Sequence, residues 1–278
     1  MNMFQEANKM KGDFHIHTTY SDGSLTVDEI LKEAESKLDY FAITDHDSVE
    51  GAKEAYLKVK DYNVKLILGV EISTYLNNES IHILGYFKNI EDLKGIEDFL
   101  KEQRALRSER CVKIKGLLKE HFDIDLDITR LLRRSCITRK SIANEMIRQG
   151  MPYKSEEIFA RFLGDNCKAY IPSTKIDTLY AVNLLKKCNA ITVLAHPVRM
   201  KKNRIEDIIN MGIDGIEAIY SINTLEDTIK YKKIARDNNL FITAGSDFHH
   251  FLDSQHGDVG SVFIEKEDLE IFINKLRG

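Results

Sequence analysis

Short apolar runs bounded by turn residues recur along this chain, and amphipathic stretches separate them. That alternation constrains the fold more than any other feature. The runs at 13–17 (DFHIH), 40–46 (YFAITDH), 64–73 (VKLILGVEIS), 80–87 (SIHILGYF), 190–197 (AITVLAHP), 215–220 (GIEAIY) and 240–247 (LFITAGSD) read as strands. The stretches 27–37, 48–60, 177–188, 203–211 and 225–238 have helical periodicity. The first of them opens on a capping box, with Thr26 as N-cap and Glu29 three residues on. Strands alternating with helices predict an α/β fold with a mainly parallel sheet, either open or closed into a barrel.

From about 95 to 165 the rhythm breaks and only helices are predicted. A long one covers roughly 96–120, SIANEMIRQG ends at Gly150 as the C′ glycine, and SEEIFARFLG follows. We read 95–165 as an inserted helical subdomain, with 1–94 and 166–278 forming the α/β scaffold. A chain of 278 residues suits that plan. The net charge of −4 argues against a protein held on duplex nucleic acid by bulk electrostatics, while leaving room for a local basic pocket. Cys111, Cys136, Cys167 and Cys188 lie far apart with no C-x-x-C, which predicts reduced thiols and a cytoplasmic setting. No apolar segment has the length of a signal core or a membrane span, so no membrane partner is expected.

The polar residues within the apolar runs carry the chemistry. Side chains on a strand alternate faces, so Asp13, His15 and His17 share one side, with neighbours about 6.6 Å apart. Two imidazoles at that spacing can grip one metal ion or two adjacent ones, and Asp22 follows in a Gly/Ser turn. The pattern repeats: His46 ends ITDH, Glu71 sits among core residues in GVEIS, His82 lies in IHILGY, His196 in LAHP, and Asp247 and His249 in SDFH. Of nine histidines, only His121, His250 and His256 fall outside strand ends. Ligands gathered at the carboxyl ends of parallel strands mark the usual site of an α/β protein. A His/Asp/Glu set without Cys favours Mn²⁺, Fe²⁺ or Zn²⁺ over a structural thiolate site. Nine ligands exceed the needs of one ion, so two or three ions are expected, with Glu71 bridging ions roughly 3.5–4 Å apart.

In this order, HIH, TDHD, VEIS, IHILGY, AHP and SDFH resemble the hallmarks of the PHP (polymerase and histidinol phosphatase) superfamily over residues 13–249. The resemblance implies a distorted seven-stranded β/α barrel with a trinuclear metal centre at its C-terminal rim. Its ligands would be His15, His17, Asp22, His46, Glu71, His82, His196, Asp247 and His249. The chain is most similar to the stand-alone branch with a helical insertion, which would form part of the substrate pocket. That branch holds 3′,5′-nucleoside bisphosphate phosphatases and 5′-to-3′ exoribonucleases acting on short RNAs. ITRKSIANEMIRQG and FARFLGDNCKAYIP resemble its insertion motifs, but Lys140-Ser141 stands where Pro-His is usual and Lys168-Ala169 where Pro-Ala is.

The expected activity is hydrolysis of the 3′-phosphate of a nucleoside 3′,5′-bisphosphate, or of short 5′-phosphorylated RNA, by in-line attack of a metal-bridging hydroxide. Glu71, Asp247 and His249 would carry the chemistry, Asp247 being a candidate proton donor to the leaving alkoxide. Arg104 and Arg107, one helical turn apart, are candidate phosphate ligands. Arg139, opening the SIANEMIRQ helix, is the stronger one, because free N–H groups and the helix dipole already favour an anion there. Histidinol-phosphate phosphatase and a non-catalytic metal-binding module are the alternative readings. The sequence leaves oligomeric state open.

Overall fold

A computed structural model describes residues 10–134, 136–172 and 176–277; the remainder, including residues 1–9 of the expected scaffold, lies outside. The described residues divide into two compact units, one made of 10–97 and 176–277 and the other of 98–172. The return to the scaffold therefore falls at residue 176, ten residues beyond the position expected from the helical pattern.

In the first unit a seven-stranded sheet runs in chain order from β1 (Gly12–Ile16) through β2 (Tyr40–Ile43), β3 (Lys65–Leu76), β4 (Glu79–Phe87), β5 (Ile191–Leu194) and β6 (Gly215–Tyr220) to β7 (Phe241–Gly245). Between them lie α1 (Val27–Lys37), α2 (Glu50–Lys58), and the start of α3 (Lys94–Phe122). The second unit contains the rest of α3, then α4 (Arg139–Arg148) and α5 (Ser155–Ile158), which continues as a π turn over Phe159–Leu163. The first unit resumes with α6 (Thr178–Lys187), α7 (Ile205–Ile209), α8 (Leu225–Asp237) and α9 (Lys266–Arg277). Among the described residues no helix is long and apolar enough to cross a membrane.

Local sequence explains most of these boundaries. Thr26 accepts from Glu29 N while Glu29 accepts from Thr26 N, the reciprocal cap expected at the start of α1. Gly150, at φ +94°, supplies the left-handed residue just past α4. The departure is β4, which pairs antiparallel with both β3 and β5 while the other neighbours pair in parallel. Asn77 and Asn78, at φ 47° and 61°, make a tight hairpin that turns β3 straight back into β4. The amphipathic alternation does not encode this reversal; the Asn-Asn turn does.

The sheet nearly closes. Asp247 N donates to His15 O at 2.8 Å and His17 N to Phe248 O at 3.0 Å, joining β1 to the segment after β7. The opposite end is stoppered by α9, an element the sequence reading does not name. Phe272 is fully buried there. Its ring lies 4.7 Å from Phe14, 5.1 Å from Tyr86 and 5.3 Å from Phe241, centroid to centroid. The second unit has its own core, in which Ile114 and Leu118 of α3 pack with Ile142, Met146, Ile158 and Leu163.

Candidate metal centre

The strand ends at the open rim deliver the polar side chains. His15 lies on β1 and His17 one residue past it, His46 lies three past the end of β2, and His196 and Asp247 each lie two past the ends of β5 and β7. Glu71 is mid-strand, because β3 outruns β2: His46 and Glu71 are bridged in parallel, and Asp47 N donates to Glu71 O at 2.8 Å. His82 is near the start of its strand, not the end. Because β4 runs antiparallel, its start lies at the rim where its neighbours end. Asp47, His196 and Asp247 adopt positive φ of 49°, 26° and 54°. Left-handed backbone costs a non-glycine residue of order 1–3 kcal/mol and clusters at functional sites.

Two carboxylates organise the cluster. Glu71 Oε1 faces His82 Nδ1 at 2.8 Å and His196 Nε2 at 3.2 Å, while Oε2 faces His46 Nδ1 at 2.8 Å and the Nε2 atoms of His15 and His17 at 3.3 Å. Asp247 Oδ1 lies 3.0 Å from His17 Nε2, 3.3 Å from His15 Nε2 and 3.5 Å from His249 Nδ1. A third carboxylate, Asp22, faces His249 Nε2 at 3.3 Å and His17 Nδ1 at 3.9 Å. All nine residues expected as ligands are thus brought together. Their atoms form overlapping sets compatible with separate ions: His15, His17, Glu71 and Asp247; His17, Asp22, His46 and His249; and His46, Glu71 and His82.

These residues fit metal ions better than they fit one another. Among the described residues His15 Nε2, His17 Nε2, Asp22 Oδ1, Glu71 Oε2 and Asp247 Oδ1 are buried without hydrogen-bond partners. So many converging unpaired atoms would be costly unless cations lay between them. The electrostatics agree. Burial raises Glu71 and Asp247, but the surrounding imidazoles, His46 first for Glu71 and His15 first for Asp247, outweigh it and hold both well below the carboxylate range. Burial also lowers His15, but Asp247, Glu217 and Glu71 together pull it well above the ordinary imidazole value. Three buried carboxylates demand positive charge, which protons or metal ions can supply.

Several supporting residues are not evident from the sequence. Glu217 on β6 takes His15 Nδ1 at 3.0 Å and His196 N at 2.7 Å, so it fixes the His15 tautomer with Nε2 turned to the cluster. Tyr220 donates to Asp247 Oδ2 at 2.7 Å and is itself hydrogen-bonded by Arg199 Nε at 2.8 Å. Asp45 accepts from Thr18 N, Thr18 Oγ1 and Ser21 Oγ and anchors the loop that carries Asp22. His256 also reaches the site: its ring stacks on His249 with centroids 4.2 Å apart. Burial pushes it down to about 4, so it stays neutral. Asp13 instead accepts from the backbone of His15, Ser246 and Gly260, tying β1 to the loop after β7 without touching an imidazole. The signal for Glu217 was a lone carboxylate in an otherwise apolar strand, the same signal that marked Glu71.

Gly245 makes this support possible. A Cβ there would lie 2.1 Å from Glu217 Oε1 and 2.3 Å from His15 Cβ. Gly245→Ala is expected to displace Glu217 and lower metal affinity about tenfold or more, as loss of a ligand's orienting partner does. Competition against a chromophoric chelator checks it, and unchanged affinity would refute the tight fit.

The three candidate arginines lie in the second unit. Arg139 pairs with Asp165 at 2.6 Å, donates to Leu163 O at 3.1 Å and sits 5.0 Å from the centre of the Tyr170 ring. Arg107 is buried with NH1 3.1 Å from Cys136 Sγ, and Arg104 buries an Nε that has no hydrogen-bond partner among the described residues.

A rim of imidazoles bridged by buried carboxylates, on a nearly closed α/β barrel, is the equipment of a metal-dependent hydrolase. Comparison with known proteins narrows the class. The PHP domain model matches residues 13–159. The chain is 30% identical over 249 residues to a 5′-3′ exoribonuclease of Haemophilus influenzae, covering 86% of this chain and 90% of that one. It is 27% identical over 249 residues to the 3′,5′-nucleoside bisphosphate phosphatase of Chromobacterium violaceum, covering 85% and 86%. A solved structure from Bifidobacterium adolescentis, provisionally assigned as a metal-dependent phosphoesterase, superposes with a TM-score of 0.79 at 25% identity over 95% of this chain and 96% of that one. The chain belongs to the PHP family, and it is a metal-dependent phosphoesterase.

Proposed function

We propose that the chain removes the 3′-phosphate from nucleoside 3′,5′-bisphosphates, using two or three divalent ions (Mn²⁺, Fe²⁺ or Zn²⁺) held by His15, His17, Asp22, His46, Glu71, His82, His196, Asp247 and His249. The observation that carries the metal reading is Glu71, whose two oxygens serve two different imidazole sets, as a bridging carboxylate must. Ions held there supply Lewis-acid neutralisation of phosphoryl oxygens and acidify a water toward neutral pH. The likeness to the Chromobacterium violaceum phosphatase supports the substrate class.

The chain's own residues do the positioning. Glu217 aims His15, and Tyr220 aims Asp247. The imidazoles around Asp247, His15 first, outweigh its burial and hold it well below the carboxylate range, which suits a metal ligand. A cavity of about 200 Å³ beside His82 and His196, lined also by Ser80, Leu194 and Arg199, would take the scissile phosphate or its sugar. That volume falls below the roughly 300–1,000 Å³ of pockets for drug-sized ligands, which suits a small fragment. Arg104, Arg107 and Arg139 remain the proposed phosphate ligands of the inserted unit, Arg139 having to exchange Asp165 for substrate.

A second reading, hydrolysis of short 5′-phosphorylated RNA, is favoured by the 30% identity to the Haemophilus influenzae exoribonuclease. A substrate panel separates them: adenosine 3′,5′-bisphosphate, a 5′-phosphorylated tetranucleotide, AMP and histidinol phosphate, each with Mn²⁺-loaded protein. The proposal expects AMP and phosphate in equal amounts from the bisphosphate. Mononucleotide release from RNA with an inert bisphosphate selects the second reading, and inertness toward all four selects a non-catalytic module. Chelator treatment should abolish whatever turnover is seen, and Mn²⁺ should restore it.

A further inference from the structure

We infer that His256 is a tenth metal ligand, brought to the cluster by Asp253 on the loop that follows β7. The inference rests on the metal-centre reading above. His256 Nδ1 lies 2.6 Å from Asp253 Oδ2, and Asp253 is itself fixed by Gln255 N, 2.9 Å from Oδ1. A carboxylate on one ring nitrogen turns the lone pair of the other outward, the arrangement that orients metal-binding histidines. Here the other nitrogen, Nε2, faces Asp247 Oδ2 at 3.6 Å.

The ordinary alternative is a histidine that merely hydrogen-bonds Asp247. Two observations oppose it. The hydrogen bond to Asp247 Oδ2 is already made by Tyr220 at 2.7 Å. A separation of 3.6 Å is also too long for a further one. It is only slightly wider than the roughly 3.0–3.5 Å between ligands about 2.1 Å from one ion, a gap that a small side-chain shift closes. Asp247, His249 and His256 each offer an atom within 4.8 Å of the others. The stacked His249 ring and the Asp253 anchor leave His256 little freedom to point elsewhere.

The test uses the full chain, stripped with chelator and titrated with Co²⁺ against a chromophoric competitor, with visible absorption recorded for each equivalent. For His256→Ala one binding step should weaken about 10- to 100-fold with a changed Co²⁺ spectrum. Asp253→Asn should weaken the same step, and by less. Circular dichroism of the metal-free proteins separates loss of a ligand from loss of fold; should His256→Ala misfold, His256→Gln and Asp253→Asn carry the comparison. Titrations and spectra superimposable on the wild type at every step would overturn the inference. A wild-type protein that takes up no metal would overturn the metal-centre reading, and this inference with it.

Discussion

Glu71→Ala is expected to lower turnover by about 10³-fold or more, because a bridging carboxylate organises several kcal/mol of metal-borne charge stabilisation and each 1.36 kcal/mol is tenfold in rate. Five imidazoles lie within 3.3 Å of its oxygens. Its removal separates the His82–His196 side from the His15–His17–His46 side, so metal content should fall along with rate. Glu71→Gln tests charge against shape, since the amide keeps the volume but cannot bridge cations. It too should fail to load metal, while circular dichroism remains native. A Glu71→Ala protein with full metal content and wild-type kcat would contradict the bridging role.

The largest effect on stability is expected at the other end of the barrel. Phe272→Ala should cost about 3–5 kcal/mol, the usual price of emptying a fully buried aromatic site. The ring is inaccessible and lies among Phe14, Tyr86 and Phe241, so neighbouring chains cannot easily collapse into the space. Urea unfolding of metal-free protein measures the loss without interference from ligand binding. A cost below about 1 kcal/mol would mean that α9 merely rests against the base of the sheet.

Much of this molecule was legible because its signals are local or periodic. The strands bearing His15, Glu71 and His196 stand out as apolar runs, and the polar residues in them stand out as anomalies of burial. The Thr26–Glu29 cap and the Gly150 stop follow from short-range backbone chemistry. What escaped depends on tertiary pairing. The reversal of β4 rests on two asparagines with positive φ, and without it His82 would not reach the rim. His256 looked like a loop residue because nothing near it in sequence announces that Asp253 turns it back onto His249. Helix α9 closes the amphipathic pattern without a following strand, so the alternation that flagged the other elements was silent there.

The seam between β1 and the segment after β7 has a kinetic consequence. Its hydrogen bonds join residues more than 230 positions apart, whereas the β3–β4 hairpin pairs near neighbours. Pairings distant in sequence form late, because the chain entropy of closing so long a loop must be overcome first. The proposed ligands straddle that seam, with His15 and His17 on one side and Asp247 and His249 on the other. Metal uptake should therefore be among the final events of refolding, lagging recovery of the far-ultraviolet signal. Once in place, an ion shared across the seam would act as a clasp, slowing the escape of the first strand from the last.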